Sequence, residues 1–227
     1  MNKNIDKEVE DSFQAYLTEN AAFTQNEEYP ILKEWMVPTD PPLRIIPFEK
    51  AICSSKDLSN AFICFYSRDA SFERIRRNPK RYIHFFKRCG GIIGFDYSIH
   101  SDMPYIKQKS QINDNLSLTY YYGEKGIPII PNIRWGADQT ADEFLAAIPK
   151  QSLVAIGTHG FSRRLEETAE WYCSLEKLIE VAKPTGIVVY GSKDERLFSH
   201  FKGKTRLFFY APWINEDRER RKINNGN

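Results

Sequence analysis

Seven residues could do chemistry, and all of them follow directly on apolar runs. "GIIGF" leads to Asp96, "IPIIP" to Asn132, Arg134 and Trp135, "LVAIG" to Thr158 and His159, and "IVVY" to Gly191 and Ser192. A carboxylate can move a proton or accept hydrogen bonds, and a guanidinium can hold a phosphate in a planar fork. An indole can stack on a ring, and an imidazole titrates near neutral pH. Gly157 and Gly160, flanking Thr158-His159, would let the backbone turn sharply and expose the imidazole. Asp96 and His159 are therefore the candidate catalytic pair, with Asn132, Arg134, Trp135, Thr158 and Ser192 as candidate ligand-binding residues. Each also has a plain reading. Asp96 could cap a turn, His159 could be an ordinary turn residue, Trp135 could cover the core, and Arg134 could pair with a helix carboxylate.

Such groups act together only if the fold brings them to one edge. Candidate strands at 43–48, 61–67, 91–98, 127–135, 152–160, 186–192 and 205–212 alternate with helical patterns at 79–89, 103–123, 140–148 and 163–182. Strands separated by helices indicate βαβ units and a parallel sheet. Continuous apolar strands such as "GIVVY" suit a sheet covered by helices on both faces. The fold class is therefore α/β, a mostly parallel sheet with flanking helices, either open and doubly wound or an incomplete TIM-like barrel. In both architectures ligands bind beyond the carboxyl ends of the strands. Polar clusters at successive strand ends would then form the lip of one cleft. Pro47 points to an edge position for the first strand. Thr140 and Glu143 have the spacing of a capping box at the start of the 140–148 helix.

Domain organisation follows from punctuation. Residues 1–40 read as an N-terminal helical arm and linker, with Val9, Phe13 and Leu17 on one helical face and "VPTDPP" breaking regular structure. Residues 41–215 form a single α/β domain, and 216–227 a charged C-terminal tail. The chain carries a net charge of +2. Residues 1–35 hold eight acids and three bases, a net of −5, so the remainder carries +7. The acidic arm either folds back on this body or stays solvated. Its four scattered cysteines lack metal-binding spacing, so neither a metal site nor a disulfide framework is expected, and they fit a reducing cytoplasm. No signal peptide follows Met1 and no apolar window has membrane-span length, so no membrane association is expected.

Established signatures name neither a reaction nor a cofactor. "GTHGFS" could cradle an anion at a helix N-terminus, but it is neither a P-loop nor a dinucleotide fingerprint. A Ser-His-Asp assembly from Ser98 or Ser192, His159 and Asp96 has no supporting spacing. Separately, "FERIRRNPKRYIHFFKR" (72–88) holds seven bases and one acid among aromatics. Arg74, Arg76, Arg77, Lys80 and Arg81 are its candidate contacts to a nucleic-acid backbone. The plainer alternative packs Phe72, Tyr82, Phe85 and Phe86 on the sheet and leaves the cations in water.

With "GIIGFDYS…DMP", "GIPIIPNIRWG", "IPKQSLVAIGTHG" and "GIVVYGS" in order, the chain resembles the bacterial and phage family called domain of unknown function 4417. The resemblance covers roughly residues 79–192. Tyr97 stands where the family pattern has Phe, and Thr158-His159 where Thr-Val or Ser-Val is usual. It implies a role in phage or mobile-element biology without supplying a reaction. Three functions are then expected to compete. The first is a protein that binds or processes a small nucleotide-like or phosphorylated ligand at its strand ends. The second is a nucleic-acid-associated accessory protein using 72–88. The third is a non-enzymatic inhibitor of a host protein, using the acidic arm or "AFICFYS" as its surface.

Overall fold

The computed structural model describes residues 14–158, 165–191 and 195–213, with 165–171 and 195–197 described as backbone only. Among the described residues there are seven strands: β1 (Arg44–Pro47), β2 (Ala61–Cys64), β3 (Gly91–Ile93), β4 (Ile129–Ile130), β5 (Leu153–Gly157), β6 (Gly186–Tyr190) and β7 (Leu207–Tyr210). Between them lie α1 (Phe48–Ala51), α2 (Glu73–Arg77), α3 (Ile83–Lys87), α4 (Tyr105–Glu124), α5 (Ala141–Ala146) and α6 (Leu165–Ala182). Short 3-10 turns include Pro79–Tyr82, which leads into α3, and Glu195–Phe201 before β7.

All pairings between these strands are parallel, in two sheets ordered β1-β2-β3-β4 and β5-β6-β7. A parallel bridge between Asn132 and Ala155 links them, with Ala155 N donating to Pro131 O and Ile133 N to Ala155 O, both at 2.8 Å. The strands thus run in chain order without reversal, whereas a doubly wound sheet changes direction at a switch point. No ladder joins β7 to β1 among the described residues, and the barrel is not closed.

Side-chain alternation shows how each face is covered. Ile46, Ala61, Ile63, Ile92, Ile129, Val154, Ile156, Ile187 and Val189 pack outward with residues of the helical layer such as Phe86, Ile112, Leu116 and Leu178. Ile45, Phe62, Cys64, Ile93, Ile130, Leu153, Ala155, Val188 and Tyr190 form a second cluster, against which Phe208 and Tyr210 pack. Every strand contributes to this inner cluster, so the concave face of the sheet fills itself. Helices on both faces, and with them the doubly wound alternative, give way to the incomplete-barrel arrangement. Strands apolar on both faces suit either case, because a barrel interior excludes water as a helix does. Tyr210 Oη donates to Pro42 O at 2.5 Å, tying the last strand to the approach of the first.

β1 lies at the edge of its sheet, as Pro47 requires. β2 sits inside, and Ala61 through Phe65 are all buried. In "AFICFYS" only Tyr66 and Ser67 are partly exposed. The capping box at Thr140 does not form. Thr140 is itself helical, its Oγ1 donates to Ala137 O at 2.7 Å, and Glu143 accepts from Asn26 Nδ2 at 2.6 Å.

Residues 14–40 lie against the helical layer, with Leu17, Tyr29, Leu32 and Met36 buried. Leu32 N donates to Ala147 O, and Lys33–Glu124 and Lys109–Glu27 ion pairs flank the seam at 2.7 and 2.9 Å. Met36 fits under α4 because position 123 is glycine; a Cβ there would come 2.5 Å from Met36 Sδ. The described part of the acidic arm thus folds back on the body. Val9 and Phe13, expected on a helix, and residues 216–227 lie outside the described residues. No described helix is long and apolar enough to cross a membrane.

Candidate functional site at the carboxyl ends of the strands

A strand's side chains alternate, so the inward set continues two residues at a time past its last apolar member. On β2, inward Cys64 is followed by Tyr66; on β4, Ile130 by Asn132 and then Arg134; on β6, Val188 by Tyr190. Asp96 arrives differently, from the segment after β3. Gly94 passes so close to β4 that a Cβ would lie 2.8 Å from Asn132 N. Phe95 then stacks on Phe65 at 4.1 Å in the outer core. Two α4 side chains hold this backbone as a neighbouring strand would. Thr119 Oγ1 accepts from Phe95 N, while Asn115 accepts from Tyr97 N at 2.8 Å and donates to Tyr97 O at 3.2 Å. Asp96 is thereby turned towards β4.

Three of the expected residues meet. Asp96 Oδ1 accepts from Asn132 Nδ2 at 2.8 Å, and Arg134 Nη1 lies 3.2 Å from Oδ2 and 3.3 Å from Oδ1. Asn132 Nδ2 also reaches Phe95 O, and its Oδ1 accepts from Tyr66 Oη at 2.9 Å. The phenol thus fixes which end of the amide faces the carboxylate. Arg134 is held more loosely: Nη2 is 3.5 Å from Ile99 O, and Nε is buried without a partner among the described residues. Asp96 is 8% exposed. Burial raises its pKa to about 6 against the lowering effects of Arg134 and Asn132, and the Asp69 charge adds to the rise. Burial also raises the Tyr66 phenol, with the Asp96 charge as the next cause.

Around this group, Tyr66 and Tyr190 stack at 5.3 Å, and Tyr190 Oη accepts from Trp213 N at 3.0 Å. Thr158 reaches the same rim, its N and Oγ1 both donating to Tyr190 O. Asp69 accepts from Ser98 N and from Ser98 Oγ, the latter at 3.0 Å, so Ser98 is turned to a carboxylate outside the Asp96 group. No group of three His, Cys, Asp or Glu that could hold a metal ion gathers among the described residues. Trp135 points elsewhere and packs on Phe144 of α5 at 5.9 Å. His159 and Ser192 lie outside the described residues. Tyr66, Tyr190, Asn115 and Thr119 were not legible as site residues from residue type. The signal for Tyr66 and Tyr190 was their parity with Cys64 and Val188.

In the basic segment, Phe72, Tyr82 and Phe86 are buried, so the aromatics serve the core. Arg76 is already engaged: it bonds Glu73 at 2.9 Å and Asp114 at 2.8 Å and lies over the Tyr97 ring. Arg77 is 3.7 Å from Glu73 and largely exposed. Arg74, Lys80 and Arg81 are exposed.

The rim leaves no room for a methyl group at Gly157, where a Cβ would lie 2.6 Å from the Tyr66 ring. Gly157→Ala should displace Tyr66 from Asn132 and destabilise the fold by ~1–3 kcal/mol, the range for overpacking. Urea denaturation checks this; an unchanged midpoint would show that the ring shifts freely.

The chain is 27% identical over 127 residues to the "Gene 1 protein" of Mycobacterium phage L5, covering 56% of each chain. It is 24% identical over 134 residues to the "Gene 1 protein" of Mycobacterium phage D29, covering 59% of this chain and 50% of that one. It therefore spans about half the length of these curated relatives. No solved structure matches. A family profile described as "Domain of unknown function (DUF4417)" matches residues 24–208, which takes in β1 through β6, the first two residues of β7, the Asp96–Asn132–Arg134 group and most of the docked N-terminal segment, and the chain belongs to that family.

Proposed function

We propose that the carboxyl-terminal rim of the sheet binds or processes a small nucleotide-like or phosphorylated ligand, in the service of a phage or other mobile element. The observation that carries this reading is Asp96, a buried carboxyl with a raised pKa, facing a loosely bonded guanidinium. Arg134 has N–H donors to spare and could rotate from Asp96 to an incoming anion. Asp96, left with Asn132 as its chief partner, would then hold a proton more strongly and become a general acid at neutral pH. The stacked Tyr66–Tyr190 pair offers phenolic edges to a ring or ribose. The phage relatives support the biological setting, not the chemistry.

Ligand binding should therefore take up protons and strengthen as pH falls from about 7 towards about 6, the window in which Asp96 is displaced from its resting equilibrium. Thermal-shift screening against nucleoside phosphates, sugar phosphates and inorganic phosphate tests the reading. A positive compound should lose its effect with Arg134→Ala. If no compound raises the melting temperature of the wild-type chain, the reading fails.

A further inference from the structure

The outer surface opposite the inner cluster carries a second feature, independent of the rim. Lys80 Nζ lies 4.6 Å from the centre of the Tyr16 ring. Tyr16 meets Tyr121 edge-on at 5.7 Å, and Lys125 Nζ lies 5.2 Å from the Tyr121 ring. Two cations from distant parts of the chain are thus joined through two tyrosines. Arg74 repeats the pattern, its guanidinium 5.0 Å from the centre of the buried Phe48 ring. Arg74, Lys80 and Lys125 are exposed, as is Arg81, which follows Lys80. None of the four has a carboxylate within ion-pair distance among the described residues. The acids nearest in sequence are already engaged: Glu73 holds Arg76 and Glu124 holds Lys33.

The distinction between ring and carboxylate partners decides what this surface can do. A carboxylate orders a cation and cancels its charge. An aromatic face orders the cation and leaves the charge in place. We infer that Arg74, Lys80, Arg81 and Lys125 form a polyanion-binding surface whose partner is the phosphate backbone of a nucleic acid. Ordered cations lose less side-chain entropy when they meet a phosphate, which favours binding over a solvated lysine face. Tyr121 and Phe48 are buried beneath their cations, so these rings cannot stack on bases. Binding is accordingly independent of sequence, a matter of phosphate spacing and counterion release.

Fluorescence anisotropy with a labelled duplex DNA of mixed sequence, and with its RNA counterpart, tests this on the full chain. Four phosphate contacts should weaken binding by ~100-fold between about 50 mM and about 200 mM salt. The quadruple variant Arg74→Ala, Lys80→Ala, Arg81→Ala, Lys125→Ala should lose ~10-fold or more at the lower salt and flatten the salt slope. A circular-dichroism melt of the variant confirms folding, and Arg74→Lys with Arg81→Lys, which keeps the charge, should restore most of the binding when Lys80 and Lys125 are native. Absence of binding at low salt, equal affinity and slope in the quadruple variant, or binding confined to anionic vesicles would each overturn the inference.

Discussion

Phe65→Ala should destabilise the protein by ~3–5 kcal/mol, the range for emptying a fully buried phenylalanine site. Phe65 is wholly buried, stacks on Phe95 at 4.1 Å, and meets Phe72 at 5.4 Å, Phe48 at 6.0 Å and Phe86 at 6.2 Å. It is the ring at which β2, α1, α2, α3 and the segment after β3 come together. Such a cost is a large fraction of the ~5–15 kcal/mol that holds a domain folded. The effect should also reach the rim. Phe95 would lose its stacking partner, and its carbonyl is one of the two acceptors that fix Asn132 Nδ2. Phe65→Leu, which leaves a smaller void, serves as the foldable companion; it should bind weakly any ligand found for the wild type. Trp35→Ala is the control. Trp35 is 62% exposed, and its loss should move stability by no more than about 0.5 kcal/mol. Urea denaturation of the three variants gives the comparison. A Phe65→Ala cost below ~1 kcal/mol would mean that the aromatic layer repacks around the gap.

How much of this was readable beforehand depends on which physical signal each feature leaves. The alternation of apolar runs and helical spacing marks all seven strands, because burial imposes it locally. The parallel sheet follows from that alternation. Sequential strand order does not, since a strand apolar on both faces reads the same whether its second face meets a helix or the far side of a barrel. Asp96, Asn132 and Arg134 were legible as a group because each interrupts an apolar run at a carboxyl end. Trp135 interrupts the same run, but its parity turns it outward to Phe144. Tyr66 escaped notice because tyrosine in a strand is unremarkable by type; only its register after Cys64 gives it away. Asn115 and Thr119 lie within a helix, where a polar residue ordinarily means a solvated face. Their task, holding the backbone of residues 95–97, depends on a contact nearly twenty residues or more away in sequence. The capping box at Thr140 was a local pattern overruled by a local competitor, the Ala137 carbonyl. In the basic segment Arg76 reads like its neighbours by residue type, whereas tertiary pairing with Asp114 sets it apart from the exposed Arg74, Lys80 and Arg81.

The second large effect concerns pH. Asp96 rises from an ordinary value of 3.8 to about 6 on folding, chiefly through burial. Between those values the folded chain binds a proton more tightly than the unfolded chain does. The site's contribution to stability is therefore greatest below the unfolded value and declines as pH rises through the folded value. A shift of about two units corresponds to ~3 kcal/mol, at ~1.4 kcal/mol per unit. Asp96→Asn keeps the shape and an acceptor oxygen but cannot ionise. The wild-type stability minus that of Asp96→Asn should accordingly fall by ~3 kcal/mol from pH about 4 to pH about 7, then level off. Taking the difference removes the titration of every carboxylate the two proteins share. The sign separates two accounts of the Asp96–Arg134 pair. If the ion pair at 3.2 Å outweighed burial, the folded value would be depressed and the difference would rise with pH instead. The long contacts to Arg134, its unpartnered Nε and the depth of Asp96 favour the falling curve. On that curve the carboxylate is held ionised at neutral pH against its own desolvation.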